Sequence, residues 1–335
     1  MSAVTTPEAP PSAVLTAEQL EPYRRDLTGF CYRMLGSGSE ADDAVQETFI
    51  KAWRAAEDFE GRSSVKTWLF RIARNVCTDM VRSPQRRARP IDMGPARTPD
   101  PVHLDDVLVE GSWVTPVADS KVIDLGASPE QVAEGRETLR LAFIAALQAL
   151  PARQRAALVL CEVLSWSAAE AAELLETSVA SVNSSLQRAR ATMATSSGPD
   201  AVEALTDAQS EAAERYLAAF EAYDMDRLAA LMHEDVIQTM PPYAMWLQGR
   251  DDVLTWYAGP GAGCEGSRLL AGRANGCPAF AQYRPDPAGG HSPWALQVVE
   301  FRGERIAQVH AFLETGESFG RFGFPDHLPE GMAAT

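Results

Sequence analysis

Eight cations crowd one stretch of the chain. Arg62, Lys66, Arg71, Arg74, Arg82, Arg86, Arg87 and Arg89 face a single acid, Asp79, within residues 62–89. The whole chain of 335 residues carries a net charge of −16, so this patch stands alone in an acidic protein. Local clustering of this kind, more than global charge, is what binding to a phosphate backbone requires. Asn75 adds a two-sided hydrogen-bonding group, while Trp68 falls on the apolar stripe and reads as core more than as a stacking platform. A second polar set follows at Ser178, Ser181, Asn183, Ser184 and Gln187, with Arg188 and Arg190 behind it. Its amides and hydroxyls suit base edges, and its arginines suit phosphates. A third set, Asp42, Asp43, Gln46 and Glu47, places acids and an amide on one helical face opposite Ala44, Val45, Phe49, Ala52 and Trp53. Near the C-terminus His233, Asp235, Trp246, Tyr257 and His310 could serve acid–base chemistry in a pocket, although no paired acid and base is evident. The five cysteines are scattered and none lies at metal-ligand spacing, so reduced thiols are expected, with no metal centre, disulfide framework or cofactor.

These residues need elements to hold them. Apolar positions Leu20, Tyr23, Leu27, Phe30, Cys31 and Met34 recur at helical spacing, and Gly36-Ser37-Gly38-Ser39 breaks that helix, with Ser39 as the expected cap of the next. That next helix is expected over about 40–55, with Trp53 inward, and a further one over about 65–82, with Trp68 inward and the arginines outward. Six prolines between 84 and 116 and a run of acids predict a linker. Ser128-Pro129 opens a helix expected to run to about Leu150. Pro151 starts another, and residues 167–193 read as helix, short turn, helix. After a linker rich in Ser, Gly and Pro, two helices precede period-two runs at 233–239, 267–275, 279–284, 294–301 and 305–313, an α+β layout.

The motifs resemble those of the sigma-70 family of RNA polymerase sigma factors, of the small extracytoplasmic-function type. The stretch from Asp42 to Trp53 resembles region 2.2, and that from Phe59 to Arg82 resembles regions 2.3 and 2.4. Leu150-Pro151-Ala152-Arg153-Gln154-Arg155 and the helix–turn–helix after it resemble region 4. No region 3 helices lie between, as in the two-module type. Trp113-Val114-Thr115-Pro116-Val117-Ala118-Asp119 resembles a W-x-x-P-x-x-D element of sigma factors that bear a C-terminal extension. Residues 208–335 look like a SnoaL-like domain, a curved sheet closed by helices into a cone.

The resemblance implies a multidomain chain: a disordered tail 1–16, an all-α region 2 over 17–90, an acidic linker 91–127, an all-α region 4 over 128–195, a linker 196–207 and an α+β SnoaL-like domain over 208–335. It implies core RNA polymerase as partner, with Asp42, Asp43, Gln46 and Glu47 docking the β′ coiled coil and the first region 4 helices the β flap. Arg62, Lys66, Arg71, Arg74, Asn75 and Arg82 would hold the melted −10 strand. Ser178, Ser181, Asn183, Ser184, Gln187, Arg188 and Arg190 would meet the −35 element. No cation lies in the first turns of the recognition helix, and Glu176 occupies the turn, so polymerase must supply much of the affinity. The last domain would modulate initiation, with Asp235, Trp246 and Tyr257 as pocket candidates for a small ligand; an anti-sigma protein is a further candidate partner. The protein is expected to be cytoplasmic, off the membrane and not an enzyme. Two alternatives stay open: a ligand-responsive helix–turn–helix regulator acting without polymerase, and an enzyme using the C-terminal pocket.

Overall fold

The computed structural model describes residues 17–56, 59, 61, 63–81, 87–109, 111–196, 207–313 and 316–331. The N-terminal module is built on α1 (Ala17–Leu20), α2 (Arg24–Leu35), α3 (Gly38–Arg54) and α4 (Val65–Met80). Leu27, Phe30, Met34, Ala41, Val45, Leu69, Phe70 and Ala73 meet in its core, each 2% exposed or less. Gly36 ends α2 in the left-handed conformation. The cap of α3 is Ser37, not Ser39, because the Ser37 hydroxyl accepts from the Glu40 amide. Ser64 caps α4 in the same way through the Thr67 amide at 3.0 Å.

The segment that follows is not a free tether. It makes single turns at α5 (Pro90–Met93), a 3-10 turn (Pro101–Asp105) and α6 (Asp119–Val122), and between them it runs across the other modules. The expected helix over 129–150 is two, α7 (Pro129–Glu137) and α8 (Leu141–Gln148). Tertiary contacts break it: the Leu139 carbonyl accepts from Asn275, and Arg140 turns to the thiol of Cys277 at 3.4 Å. Helix α9 (Ala152–Leu158) ends in a π-turn, and α10 (Ala168–Leu174) and α11 (Val179–Ser196) complete the helix–turn–helix.

The C-terminal part adds α12 (Asp207–Glu221), α13 (Met225–Leu231) and α14 (Arg250–Ala258) to six strands: β1 (Met232–Thr239), β2 (Trp246–Gln248), β3 (Arg268–Ala274), β4 (Cys277–Pro285), β5 (His291–Arg302) and β6 (Arg305–Leu313). Short strand β2 has no counterpart in the period-two pattern. The sheet order is β2-β1-β6-β5-β4-β3, parallel at β1–β6 and antiparallel elsewhere. Alternation along the strands gives the sheet two apolar faces. One, with Leu269, Phe280, Val299 and Val309, closes against Tyr216, Phe220 and Tyr257 of the helices. The other, with Ala279, Leu296, Val298 and Phe312, joins the core of the two helical modules. The sheet is thus a middle layer.

Candidate polymerase and nucleic-acid interfaces

The face of α3 expected to dock polymerase is open. Asp43 and Gln46 are exposed, and Glu47 pairs along the helix with Lys51 at 3.4 Å. Asp42 is half-buried and pairs with Lys121 of the linker at 2.7 Å. Trp53, expected inward, is 64% exposed. The helix buries Ala41, Ala44, Val45, Thr48 and Ala52, and that face leaves Trp53 outside. A groove of about 1030 Å³ beside it is lined by Leu20, Val45, Phe49, Ile50 and Trp53 among others.

The basic face of α4 is covered. Arg71 lies 3.9 Å from Glu173, and Arg74 lies 3.4 Å from Glu176 and donates to the Leu174 carbonyl. Those acids belong to α10 and the turn after it, so the helix–turn–helix sits on the candidate −10 side chains. Trp166 packs on Phe70 at 5.3 Å between ring centroids, and Phe70 on Phe30 at 5.4 Å. Lys66 pairs with Asp26 at 2.9 Å, Arg87 with Glu40, and Arg89 with Asp92. Asn75 is exposed. Arg62 and Arg82 lie outside the described residues. Trp68 is half-buried and stacks on Phe59 at 4.8 Å.

On the recognition helix α11, Ser178, Asn183, Gln187, Arg188 and Arg190 face outward, and Ser181 and Ser184 are half-buried. The Ser178 hydroxyl accepts from the Ser181 amide at 3.2 Å, which starts the helix. Ser181 takes a hydrogen bond from Arg153, Arg188 donates to Ser184 at 2.9 Å, and Arg190 pairs with Glu162. Glu176 adopts φ +52° at the turn, a conformation that costs a non-glycine side chain about 1–2 kcal/mol.

The C-terminal candidates do not converge. Asp235 is exposed at the start of the sheet and pairs with Arg302 at 3.1 Å and with His233; its hydrogen bond to Arg302 holds the carboxyl below the usual aspartate range. Trp246 is buried and donates to the Gly94 carbonyl at 2.9 Å, so it holds the linker. Tyr257 is packed edge-on to Phe220 at 5.6 Å, where burial pushes its hydroxyl well up. His310 lies on the opposite sheet face, 2.9 Å from Thr239 and 3.4 Å from Glu300.

What the sequence did not single out is the seam. Asn275, fully buried at the β3–β4 turn, reaches three other segments. Its side-chain amide donates to the Tyr32 hydroxyl at 2.6 Å and to the Leu139 carbonyl at 2.7 Å. Its side-chain oxygen accepts from the Val117 amide at 3.0 Å. Beside it Asp119, 1% exposed, accepts from the Gly276 amide at 2.8 Å and pairs with Arg273 and Arg136 at 3.4 and 3.8 Å. Burial pushes the Asp119 carboxyl above its usual range against these partners. Glycine permits two close approaches at the seam: a Cβ on Gly38 would lie 2.3 Å from the Pro116 carbonyl, and one on Gly276, at φ +72°, 2.5 Å from that of Arg136. Arg155 turns inward, donating to the carbonyls of Met34 and Leu150, and Arg33 donates to Thr138 at 2.7 Å. Burial lowers the Arg33 guanidinium to about 10. The W-x-x-P-x-x-D stretch carried a signal for Asp119; nothing local marked Asn275.

Comparison with known proteins matches three family models: sigma-70 region 2 over residues 20–87, sigma-70 region 4 over 140–193 and a SnoaL-like domain over 213–309. The chain is 44% identical over 316 residues to the extracytoplasmic-function RNA polymerase sigma factor SigG of Mycobacterium tuberculosis, covering 92% of this chain and 83% of that one. It is 29% identical to SigW of Bacillus subtilis over 52% of this chain and 84% of that one. Among solved structures, the extracytoplasmic-function sigma factor SigJ of Mycobacterium tuberculosis matches in fold with a TM-score of 0.59 at 21% identity, over 93% of this chain and all of that one. No helix among the described residues is long and apolar enough to cross a membrane.

Proposed function

Because the chain belongs to the extracytoplasmic-function family of RNA polymerase sigma factors, and so binds core polymerase to start transcription at specific promoters, we propose that its resting form is closed to the −10 strand and open to polymerase. One observation carries this: Arg71 and Arg74, the cations expected on the −10 strand, face Glu173 and Glu176 of the helix–turn–helix. DNA and α10 compete for the same guanidinium groups, while Asp43, Gln46 and Trp53 stay accessible to the β′ coiled coil. In this reading residues 17–90 bind polymerase and the −10 strand, and 128–195 bind the −35 element and the β flap. Residues 91–127 tether the two modules.

The domain at 208–335 acts as a clamp and not as a catalyst. Asn275 bridges Tyr32, Val117 and Leu139, one residue from each of the three segments that must separate. The regulator acting without polymerase gains no support, since no cation precedes Arg188 on the outer face of α11. The enzyme gains none either, since Asp235 is exposed and spent on an ion pair with Arg302, with His233 beside it at the surface edge of the sheet and not in a pocket.

Hydrogen–deuterium exchange with and without core polymerase tests the proposal. Polymerase binding should speed exchange across α10 and the β3–β4 turn while slowing it in α3. Unchanged exchange in α10 with polymerase bound would refute the closed resting form.

A further inference from the structure

We propose that the seam between the linker, the start of α3 and the end of the sheet binds a small carboxylate with an apolar body, and that its occupation holds the closed form. This proposal rests, for its regulatory part, on the closed-form reading above. A cleft of about 650 Å³ opens at the seam, a size that suits a small organic ligand. Its apolar wall comes from Trp113 and Val117 of the linker and from Phe312 and Phe322 of the C-terminal domain. Among the described residues, two cations and one acid share the lining. Lys121 is held by Asp42 at 2.7 Å, which leaves Arg321 as the surplus charge. Arg321 is exposed and makes no hydrogen bond or ion pair among the described residues.

An apolar wall beside a guanidinium with no partner among the described residues selects an acid with an aliphatic or aromatic body, since a charge-assisted hydrogen bond orients the carboxylate while the body leaves water. Aromatic rings fill the centre of the cone, where Tyr216 packs on Phe280 at 5.4 Å and Phe220 on Tyr257 at 5.6 Å between ring centroids. The walls of the seam cleft belong to three segments that are far apart in sequence and meet only in the closed arrangement. A ligand touching all three binds that arrangement alone, and shifts the equilibrium toward it by a factor of 1 + [L]/Kd, about 11-fold at ten times Kd.

The test has two arms, both on the full chain. In the first, anilinonaphthalene sulfonate, an aromatic anion, is titrated by fluorescence and then displaced with decanoate or with decyltrimethylammonium. Decanoate should displace it and the cation should not. Arg321→Glu should weaken binding by tenfold or more, and Val107→Trp, at the exposed mouth, should block it. Tyr257→Phe, within the cone, should change nothing. Binding that is indifferent to both Arg321→Glu and Val107→Trp overturns the site. In the second arm, decanoate should slow amide exchange at residues 114–119 and 275–277 in the wild-type chain and not in Arg321→Glu. Decanoate that binds in the cleft without slowing exchange there overturns the holding role, and the first arm shows that the site itself is not at fault.

Discussion

Replacing Asn275 with glycine should open the protein without unfolding any of its parts. The residue adopts φ +54°, which glycine tolerates, so the substitution removes the side chain and leaves the turn intact. Its backbone amide keeps the bond to the Val117 carbonyl at 3.1 Å. Lost are the bonds to Tyr32, Leu139 and Val117. The Tyr32 hydroxyl still donates to the Thr115 carbonyl at 3.0 Å. The Leu139 carbonyl and the Val117 amide are left without these partners in a buried seam. A buried polar group left unpaired costs roughly 1–3 kcal/mol, so docking of the C-terminal domain weakens by about 2–6 kcal/mol. The low end alone raises the undocked population about 30-fold. Hydrogen exchange reads this directly: segments 114–119 and 139–141 should exchange at least 30-fold faster in Asn275→Gly, while the interior of α4 and strands β4 to β6 keep their protection. Asn275→Ala removes the same three bonds and should open the seam to the same extent, while its left-handed backbone adds strain of about 1–2 kcal/mol that lowers the stability of the turn itself. Exchange in those segments within threefold of wild type would refute the reasoning that this side chain closes the seam.

Three other outcomes follow from the same geometry. Trp53→Ala should leave the melting temperature unchanged, since the ring is 64% exposed, but weaken core polymerase binding by roughly 30-fold if it anchors the interface as exposed aromatics do; a polymerase titration measures it. The double substitution Glu173→Gln, Glu176→Gln removes two pairs whose acids are exposed and whose arginines are partly buried, each worth about 0–1 kcal/mol, and should raise binding of single-stranded DNA to the free protein by roughly two- to fivefold in a fluorescence anisotropy assay. Burial pushes the Glu300 carboxyl up, but His310 and Arg140 outweigh it and hold it below the usual glutamate range. A lowered folded-state value means stability that is present above the unfolded range and lost as pH falls through the folded one. The stability gap between wild type and Glu300→Gln in urea unfolding should therefore shrink as pH drops from neutral to below the usual glutamate range.

Much of the helical half is legible in the sequence because its cores follow helical periodicity and its starts carry serine caps. Ser64 and Ser167 announce their helices by residue type alone. The strands of the last domain are legible as period-two and apolar runs, the apolar ones because β4 to β6 are covered on both faces, while the edge strand β2 is only three residues long. Trp53 misleads because a large aromatic at helical spacing is usually core, whereas here the narrow buried face of α3 is made by alanines and a valine. The break at Leu139-Arg140 is invisible locally, since its cause lies in Asn275 and Cys277, more than a hundred residues away. The same distance hides the seam: the bond from Asn275 to Tyr32 spans 243 positions, and Ala-Asn-Gly reads as no more than a tight turn. The cationic face of α4 is legible as a phosphate-binding surface, but its cover of α10 acids is a matter of tertiary packing.

Run-off transcription from genomic fragments of the source organism, with purified core polymerase, is the most direct test. The full chain should yield discrete transcripts only when polymerase and protein are both present, and Asn275→Gly should yield the same start sites at higher output. Start sites that do not depend on the protein, or silence from both chains, would contradict a promoter-directing factor held closed by its own C-terminal domain.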